Sequence, residues 1–404
     1  MLSTLSSDSD FPVDHTHSSL ALVNEIRGHN FVLATIQRAF DNDRLHHAYL
    51  FHGPSGVGKC RTAIVIARLL LCSTPNRSPA TDHQSMSTNA CGRCKGCQRI
   101  TPLLNHHEGA YHPDLHYIAR DTDSNGKVAK EIKIAPIRKL QSALSLGAFE
   151  GGRSVVIIEE VDRLGLSAAN ALLKTLEEPL PNVHFLLTTD SLNAVLPTIK
   201  SRAQSLRFAA LNMSILDGLL KISERSQPDQ SPSSTDERQY PPLTDLQRQS
   251  LAQLSGGSIG RALSMWSQGG MGRVEHLIQK SDLSGGPQDF LNALEFSMSF
   301  ENAQDSEIAI WIHLLRCWYR DALVLLHTPQ ETQTHLFFPS LKGITIQRGQ
   351  RLGVKRLLWR LQALDEGERH LLKRTGSNKK LIMETLCLYL AGFDLITQKP
   401  LVLS

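Results

Sequence analysis

The sequence contains no run of about eighteen consecutive apolar residues, the length that a membrane-spanning helix requires. The chain also lacks a strong excess of positive or negative charge, because its 404 residues carry a formal net charge of only +4 at pH 7. Any contact with nucleic acid must therefore come from local basic patches and not from the charge of the whole chain. Aromatic residues make up 6% of the chain. They are not interleaved with basic residues, although such interleaving is typical of a groove that binds single-stranded nucleic acid.

The N-terminus lacks the basic start and the apolar stretch of a secretion signal, and its first 14 residues are rich in serine and aspartate. We interpret residues 1–22 as a disordered tail and expect a cytoplasmic protein. Cysteine is scarce, with seven residues in the chain, yet three of them form the pattern Cys-x-x-Cys-x-x-Cys at Cys91, Cys94 and Cys97. Without a secretion signal, this spacing indicates metal ligation and not a set of disulfides.

Tetrahedral zinc takes four ligands, and the three clustered cysteines supply only three. The best candidate for the fourth ligand is Cys72, which follows a predicted helix, and the rivals are His83, His106 and His107. The alternative is three unligated cysteines in a surface loop, which is unfavourable because free cysteines are normally buried. Since a full set of ligands leaves no open position, we expect a structural zinc site.

Short apolar runs alternate with helical patterns in the first half of the chain, which predicts an α/β fold with a buried parallel sheet. The predicted strands cover residues 48–52, 154–158 and 184–189, and the predicted helices cover 33–40, 61–71 and 168–178. After residue 208 the signals are all helical, interrupted by a polar, Pro/Ser/Gln-rich segment at 226–242 that we expect to be a flexible loop. Further helices are predicted at 244–254, 308–326, 353–364 and 379–393.

A phosphate-loop pattern follows the first predicted strand and precedes a helix, which is the context that the motif requires. Gly53, Gly56 and Gly58 allow backbone N–H groups to point at phosphate oxygens, and Lys59 is placed to reach the β- and γ-phosphates. The position that normally holds a Mg²⁺-ligating serine or threonine is Cys60, and a thiol is a poor partner for this hard cation.

The acidic pair after the second predicted strand is also altered. It reads Glu159-Glu160 where nucleotide-hydrolysing enzymes usually carry Asp-Glu, so the residue facing the metal is one methylene longer. Glu160 keeps the position that activates water. Two altered metal-facing positions indicate a chain that hydrolyses ATP poorly or not at all, and they leave open whether ATP or Mg²⁺ binds.

These motifs, in this order, resemble the delta-prime subunits of bacterial DNA polymerase III clamp loaders, a family of the AAA+ class. The resemblance covers residues 23–266, and only the helical character of the remainder fits the family. It is carried by HAYLFHGPSGVGK at 47–59, CGRCKGC at 91–97, HPDL at 112–115, AANALLKTLEEP at 168–179, SR at 201–202 and GSIGRAL at 257–263.

The resemblance implies a division of the chain into an AAA+ phosphate-loop core, a lid and a collar. The core would span residues 23–209 with a zinc module at about 72–97, the helical lid 210–272 and the helical collar 285–400. It also implies a pentameric ring with gamma/tau and delta subunits, which loads a sliding clamp on primed DNA. We expect contacts with clamp and DNA through this ring and none with a membrane.

In such rings an arginine from one subunit completes the ATP site of its neighbour. The family motif Ser-Arg-Cys corresponds here to Ser201-Arg202-Ala203, so the resemblance assigns the arginine finger to Arg202. The alternative is an ordinary surface arginine. A lid arginine is expected one position before Arg261, a displacement of about 100° around a helix. A first sensor would fall at Thr188 or Thr189, and we favour Thr189.

Two other functions fit parts of the sequence. An active gamma/tau-like clamp-loader ATPase is opposed by Cys60, Glu159 and the displaced Arg261. A zinc-dependent nucleic-acid-binding module on a vestigial fold is opposed by the lack of interleaved basic and aromatic residues. We therefore expect a clamp-loader subunit with a degenerate ATP site of its own.

Overall fold

The fold was examined in a computed structural model of the chain. The structure describes residues 26–79, 86–104, 112–123, 128–150, 152–225, 243–267, 287–298, 300, 303, 305–328, 336–372 and 379–390. The predicted tail at 1–22 and the predicted loop at 226–242 lie outside these residues. Among the helices of the described ranges, none combines the length and the apolar character needed to cross a bilayer.

A five-stranded sheet forms the centre of the first half, in the order β4-β5-β6-β1-β7, and all of its pairings are parallel. The predicted α/β class with a parallel sheet is therefore confirmed. The strands are β1 (Ala48–His52), β4 (Leu115–Ile118), β5 (Ser154–Ile158), β6 (Val183–Thr189) and β7 (Gln204–Arg207). A separate antiparallel pair consists of β2 (Asn76–Pro79) and β3 (Met86–Asn89).

Apolar side chains cover both faces of the sheet, which explains why its central strands are continuous apolar runs. Successive residues of a strand point to opposite faces. In β1, Tyr49 and Phe51 join one core cluster, whereas Ala48 and Leu50 join the other. The first cluster is covered by α1 (Asn30–Asp41), α2 (Lys59–Leu70) and α3 (Lys95–Leu104), and the second by α4 (Ile134–Ser145), α5 (Leu166–Glu177) and the short α6 (Pro197–Lys200).

The second half is helical and shares one apolar cluster that extends from Leu211 to Leu390. Its helices are α7 (Met213–Arg225), α8 (Asp245–Leu254), α9 (Ile259–Ser267), α10 (Pro287–Met298), α11 (Asp305–His327), α12 (Lys342–Leu372) and α13 (Lys379–Leu390). Helix α12 contains a break at Gly353, whose φ of 71° and ψ of 162° are not helical. Cys317 and Cys387 are buried in this cluster.

Candidate functional site

The predicted phosphate loop and acidic pair meet at one edge of the sheet, the edge formed by the carboxyl ends of the parallel strands. The phosphate loop connects the end of β1 to α2, and β1 pairs with β6. The acidic pair Glu159-Glu160 follows β5, the neighbour of β6 on its other side. This edge is where ligands bind in open α/β sheets.

Lys59 uses all three of its ammonium protons inside the chain. Its Nζ donates to the carbonyl oxygens of Gly53 at 2.8 Å and Pro54 at 2.6 Å, and it forms an ion pair with Asp190 at 2.7 Å. Lys59 is buried, and Asp190 directly follows β6. Since an ammonium group has three donors, Lys59 must give up at least one partner to bind a phosphate.

Tyr117 at the end of β4 joins the two altered metal-facing positions. Its hydroxyl donates to Glu159 Oε2 at 2.5 Å and lies 3.4 Å from Cys60 Sγ. Burial, followed by the charges of Cys60 and Glu159, raises the pKa of Tyr117 far above its usual range. Burial, reinforced by Glu159, raises the pKa of Cys60 to about 12, so the thiol stays protonated. A neutral thiol beside a hydrogen-bonded carboxylate is a poor ligand set for Mg²⁺.

Glu160 is held by Arg120, which follows β4, the strand that carries Tyr117. The Arg120 Nε and Nη2 atoms donate to its two carboxylate oxygens at 2.5 and 3.1 Å. The backbone N–H of Glu160 donates to Thr188 Oγ1 at 3.2 Å. The carboxylate predicted to activate water is thus engaged in a two-point ion pair, which restricts the orientation of both groups.

The side chains of the predicted sensor and lid residues form hydrogen bonds with groups outside the phosphate loop. Thr189 Oγ1 donates to Asp162 Oδ1 at 2.7 Å, whereas Thr188 contacts the acidic pair. The Arg261 guanidinium donates to the Ser255 carbonyl at 3.3 Å, within its own helical region. The nucleotide roles of Thr189 and Arg261 remain predictions, and these contacts give neither residue a direct link to Lys59.

Helix α9 begins directly against the phosphate loop. The N–H of Gly260 donates to the carbonyl of Gly56 at 2.8 Å. Gly56 has a φ of +71°, and a Cβ placed on it would lie 2.5 Å from Ser258 Oγ and 3.1 Å from Gly260 Cα. Only a residue without a side chain permits this approach. The helical region therefore covers the loop at the point where a phosphate would be cradled.

Substitution of Gly56 should release this contact. We expect Gly56→Ala to lower the free energy of unfolding by at least about 2 kcal/mol, because the new Cβ meets a positive φ and a closely packed neighbour. Gly152→Ala is a matched control, since a Cβ there meets nothing within 4 Å and no positive φ. Urea unfolding of both variants measures the difference, and equal midpoints would contradict the proposed packing.

Arg202 lies on a different part of the core, at the mouth of an open pocket. The pocket has a volume of about 670 Å³ and is lined by residues just before β1, at and after the end of α5, and from the turn before β7 to its first residue, namely His46, His47, Leu176, Glu177, Pro179, Ser201, Arg202, Ala203 and Gln204. Arg202 Nη2 pairs with Glu177 Oε1 at 2.7 Å. Burial, followed by the neighbouring His46, lowers the pKa of His47, so His47 adds no charge to the pocket near neutral pH.

The four predicted cysteine ligands come together in the structure. The sulfur atoms of Cys72, Cys91, Cys94 and Cys97 all lie within 4.8 Å of one another. Two of the separations are 4.0 Å, between Cys91 and Cys97, and 3.8 Å, between Cys94 and Cys72. A tetrahedral zinc with bonds of about 2.3 Å places its sulfurs about 3.8 Å apart. The cluster therefore has the size that one zinc ion needs.

Backbone amides within the cluster favour thiolates. The N–H groups of Cys91, Cys94 and Cys97 donate to the sulfurs of Cys72, Cys91 and Cys94 at 3.3, 3.3 and 3.4 Å. Burial opposes ionisation of Cys94, but hydrogen bonds with Ser73 and Cys97 outweigh it and lower the pKa of Cys94 to about 5. Burial raises the pKa of Cys97, which is fully buried. The rival ligands His83, His106 and His107 lie outside the described residues.

Sequence reasoning missed Asp190, Tyr117 and Arg120. Asp190 directly follows the predicted third strand. Its position near the phosphate loop could have been inferred, because the carboxyl ends of parallel strands lie at the same edge of a sheet. Tyr117 and Arg120 belong to β4 and its end, a strand that carries no continuous apolar run. Their contacts with the acidic pair therefore had no signal in the sequence.

Comparison with known proteins finds relatives for the first half of the chain. Residues 28–212 match the model of the family described as DNA polymerase III, delta subunit. The delta′ subunit of Bacillus subtilis DNA polymerase III is 33% identical over 189 residues, which is 47% of this chain and 50% of that protein. Over residues 28–212, the chain is similar to the delta-prime subunits of DNA polymerase III. The chain spans about half the length of the curated delta-prime subunits it matches.

Other relatives are a second delta-prime subunit and a gamma/tau subunit. The delta′ subunit of Pseudomonas aeruginosa is 36% identical over 156 residues, covering 39% of this chain and 41% of that protein. The gamma/tau subunit of Mycobacterium tuberculosis is 31% identical over 196 residues, covering 48% and 30%. Among solved structures, a gamma subunit-related protein of Thermotoga maritima aligns with 89% of this chain and 98% of its own, at 16% identity and a TM-score of 0.40.

Proposed function

We propose that the chain is a delta-prime-like subunit of the replicative DNA polymerase III clamp loader, with a degenerate ATP site and an arginine finger directed at a neighbour. In this role it belongs to a cytoplasmic pentameric ring with gamma/tau and delta subunits, and the ring uses ATP to load the sliding clamp on primed DNA. The ring forms through the helical collar at 285–400, while the AAA+ core at 23–209 and the lid at 210–272 carry the inter-subunit ATP sites.

The observation that carries this proposal is the internal pairing of the nucleotide site. Lys59 is paired with Asp190, Glu159 with Tyr117, and Glu160 with Arg120. Each group that would bind phosphate, orient a metal or activate water has a partner from the same chain. Phosphate binding would require Lys59 to give up at least one of its partners, and Tyr117 and Arg120 would compete with metal and water for Glu159 and Glu160, which opposes a motor role.

Arg202 supports the second half of the proposal. Its side chain is one-third exposed beside an open pocket, and its partners are two groups of its own turn and the Glu177 carboxylate. A guanidinium in this position can reach an anion on an adjoining subunit and stabilise the charge that develops during phosphoryl transfer. We assign to Arg202 the role of arginine finger in trans.

We also propose that one zinc ion is held by the four cysteines. The ion would join the end of α2 to the turn before α3 and so order the segment between them. Its role is structural, because four thiolates complete the tetrahedral coordination and leave no position for a substrate.

A gamma/tau-like ATPase is the second candidate. It is favoured by the identity of 31% with gamma/tau relatives and by the presence of both Lys59 and Glu160. It differs from the first proposal in one measurable property, the ATP turnover of the isolated chain.

We expect the isolated chain to hydrolyse ATP in the presence of Mg²⁺ no faster than its Lys59→Ala variant, because the paired site cannot hold the metal and the phosphates together. A phosphate-release assay on both proteins measures the difference. Turnover that is well above background and is abolished by Lys59→Ala would establish the gamma/tau-like activity instead.

A further inference from the structure

Among the hydrogen bonds and ion pairs of the described residues, Glu177 is the one partner of the Arg202 guanidinium that lies outside α6 and the turn after it. Nη1 of Arg202 donates to the Thr198 carbonyl at 3.0 Å and to Ser201 Oγ at 3.1 Å, both within the same turn. Nη2 pairs with Glu177 Oε1 at 2.7 Å, and Glu177 is the last residue of α5. The direction of the guanidinium relative to the sheet therefore depends on this carboxylate.

The pair contributes little to folding. The Arg202 and Glu177 side chains are 33% and 49% exposed, and ion pairs at such positions have small effects on stability. The same exposure leaves donors of the guanidinium available, because an arginine has five N–H groups and three of them are used here. A free arginine would sample many rotamers, whereas this one is held at the rim of the pocket.

From this geometry we infer that Glu177 is a positioning residue for Arg202, orienting the guanidinium toward the phosphate of a nucleotide bound by the adjoining subunit. The inference rests on the proposed function of Arg202 as a finger. Glu177 acts through Arg202 and touches no nucleotide itself. The restraint lowers the entropy that Arg202 loses when a phosphate arrives, and oriented groups of this kind accelerate the chemical step and not substrate binding.

Substitutions of Glu177, with Glu178 as a control, separate the orienting effect of the Glu177 side chain from the effect of its charge. Glu177→Gln retains an oxygen that accepts a hydrogen bond from Arg202 but removes the negative charge. Glu177→Ala removes both. If orientation matters, the glutamine variant keeps the function, whereas repulsion between Glu177 and the incoming phosphate would make both variants bind ATP more tightly. Glu178→Ala is the matched control, since Glu178 is the C-cap residue of the same helix and, among the ion pairs of the described residues, forms none with Arg202.

The test uses the clamp loader reconstituted with partner subunits of the same organism, in the presence of clamp and primed DNA. The ATP turnover that Arg202→Ala removes defines the rate at this site. We expect Glu177→Ala to lower the kcat of this Arg202-dependent ATP turnover about tenfold, with the KM for ATP unchanged within about twofold. Glu177→Gln should keep at least about half of it, Glu178→Ala should match wild type, and Glu177→Ala should add nothing to Arg202→Ala.

Two results would overturn the inference in distinguishable ways. If Arg202→Ala lowers turnover but Glu177→Ala does not, Glu177 has no positioning role and the finger assignment stands. If Arg202→Ala itself has no effect in a correctly assembled ring, the finger assignment fails and the role of Glu177 fails with it. Thermal unfolding of each variant and size-exclusion chromatography of each ring establish that folding and assembly are intact.

Discussion

Replacing Arg202 by alanine should remove one ATP site from the reconstituted ring while leaving the chain folded. Arginine fingers supplied in trans contribute about 10³-fold or more to phosphoryl transfer, so the adjoining site should become silent on the time scale of turnover. The total rate should fall to the level of the remaining sites, and one phase of single-turnover hydrolysis should disappear. Folding should change little, because the Arg202–Glu177 pair is a surface contact worth about 1 kcal/mol or less.

Two variants sharpen this result. Arg202→Lys keeps the charge but loses the planar fork, so it should restore only a small part of the rate. Arg207→Ala removes an exposed arginine at the end of the neighbouring strand and should leave turnover unchanged. Equal turnover of wild type and Arg202→Ala, in rings of equal composition, would show that Arg202 is an ordinary surface residue.

The sequence predicted the buried part of the fold more completely than its edges. Strands β1, β5 and β6 are continuous apolar runs because they are buried on both faces, and all three were predicted. Strands β4 and β7 lie at the two edges of the sheet, and their residues are only partly buried, so they carry no comparable signal. Edge strands of four residues are therefore recognised only from their pairing.

The nucleotide site shows the same limit in its chemistry. The residue types alone identified Cys60 and Glu159 as unsuited to Mg²⁺, because that argument needs only ligand chemistry. The internal partners Tyr117, Arg120 and Asp190 come from distant positions, and only the fold brings them to the phosphate loop. Substituting the two unsuited residues would thus leave the contacts of Asp190 with Lys59 and of Arg120 with Glu160 in place.

Three members of the cysteine cluster were predictable because they are close in sequence, whereas the prediction of the fourth rested on weaker grounds. Three cysteines with two residues between neighbours indicate a metal-binding turn without reference to the fold. Cys72 was preferred over three histidines only on its position after a helix, and the structure places its sulfur among the other three. The antiparallel pair of β2 and β3 lies between the two parts in sequence.

Loss of the proposed zinc ion should have the second large effect. We expect about one equivalent of zinc in the purified chain and almost none in Cys97→Ser, because a hydroxyl stays protonated and ligates zinc poorly. Structural zinc sites contribute several kcal/mol to folding, so the midpoint of thermal unfolding of the core should fall by about 10 °C. Metal analysis and calorimetry measure the two effects.

Cys387→Ser separates metal loss from the cost of a buried hydroxyl. Cys387 is as deeply buried as Cys97 but lies outside the cluster, so this variant should keep its zinc and lose only the smaller packing contribution. A strong chelator should lower the midpoint of wild type and of Cys387→Ser but leave Cys97→Ser unchanged, since the last has no metal to lose. Zinc retained at full occupancy by Cys97→Ser, or a chelator effect of equal size on all three proteins, would show that the four cysteines do not form the site.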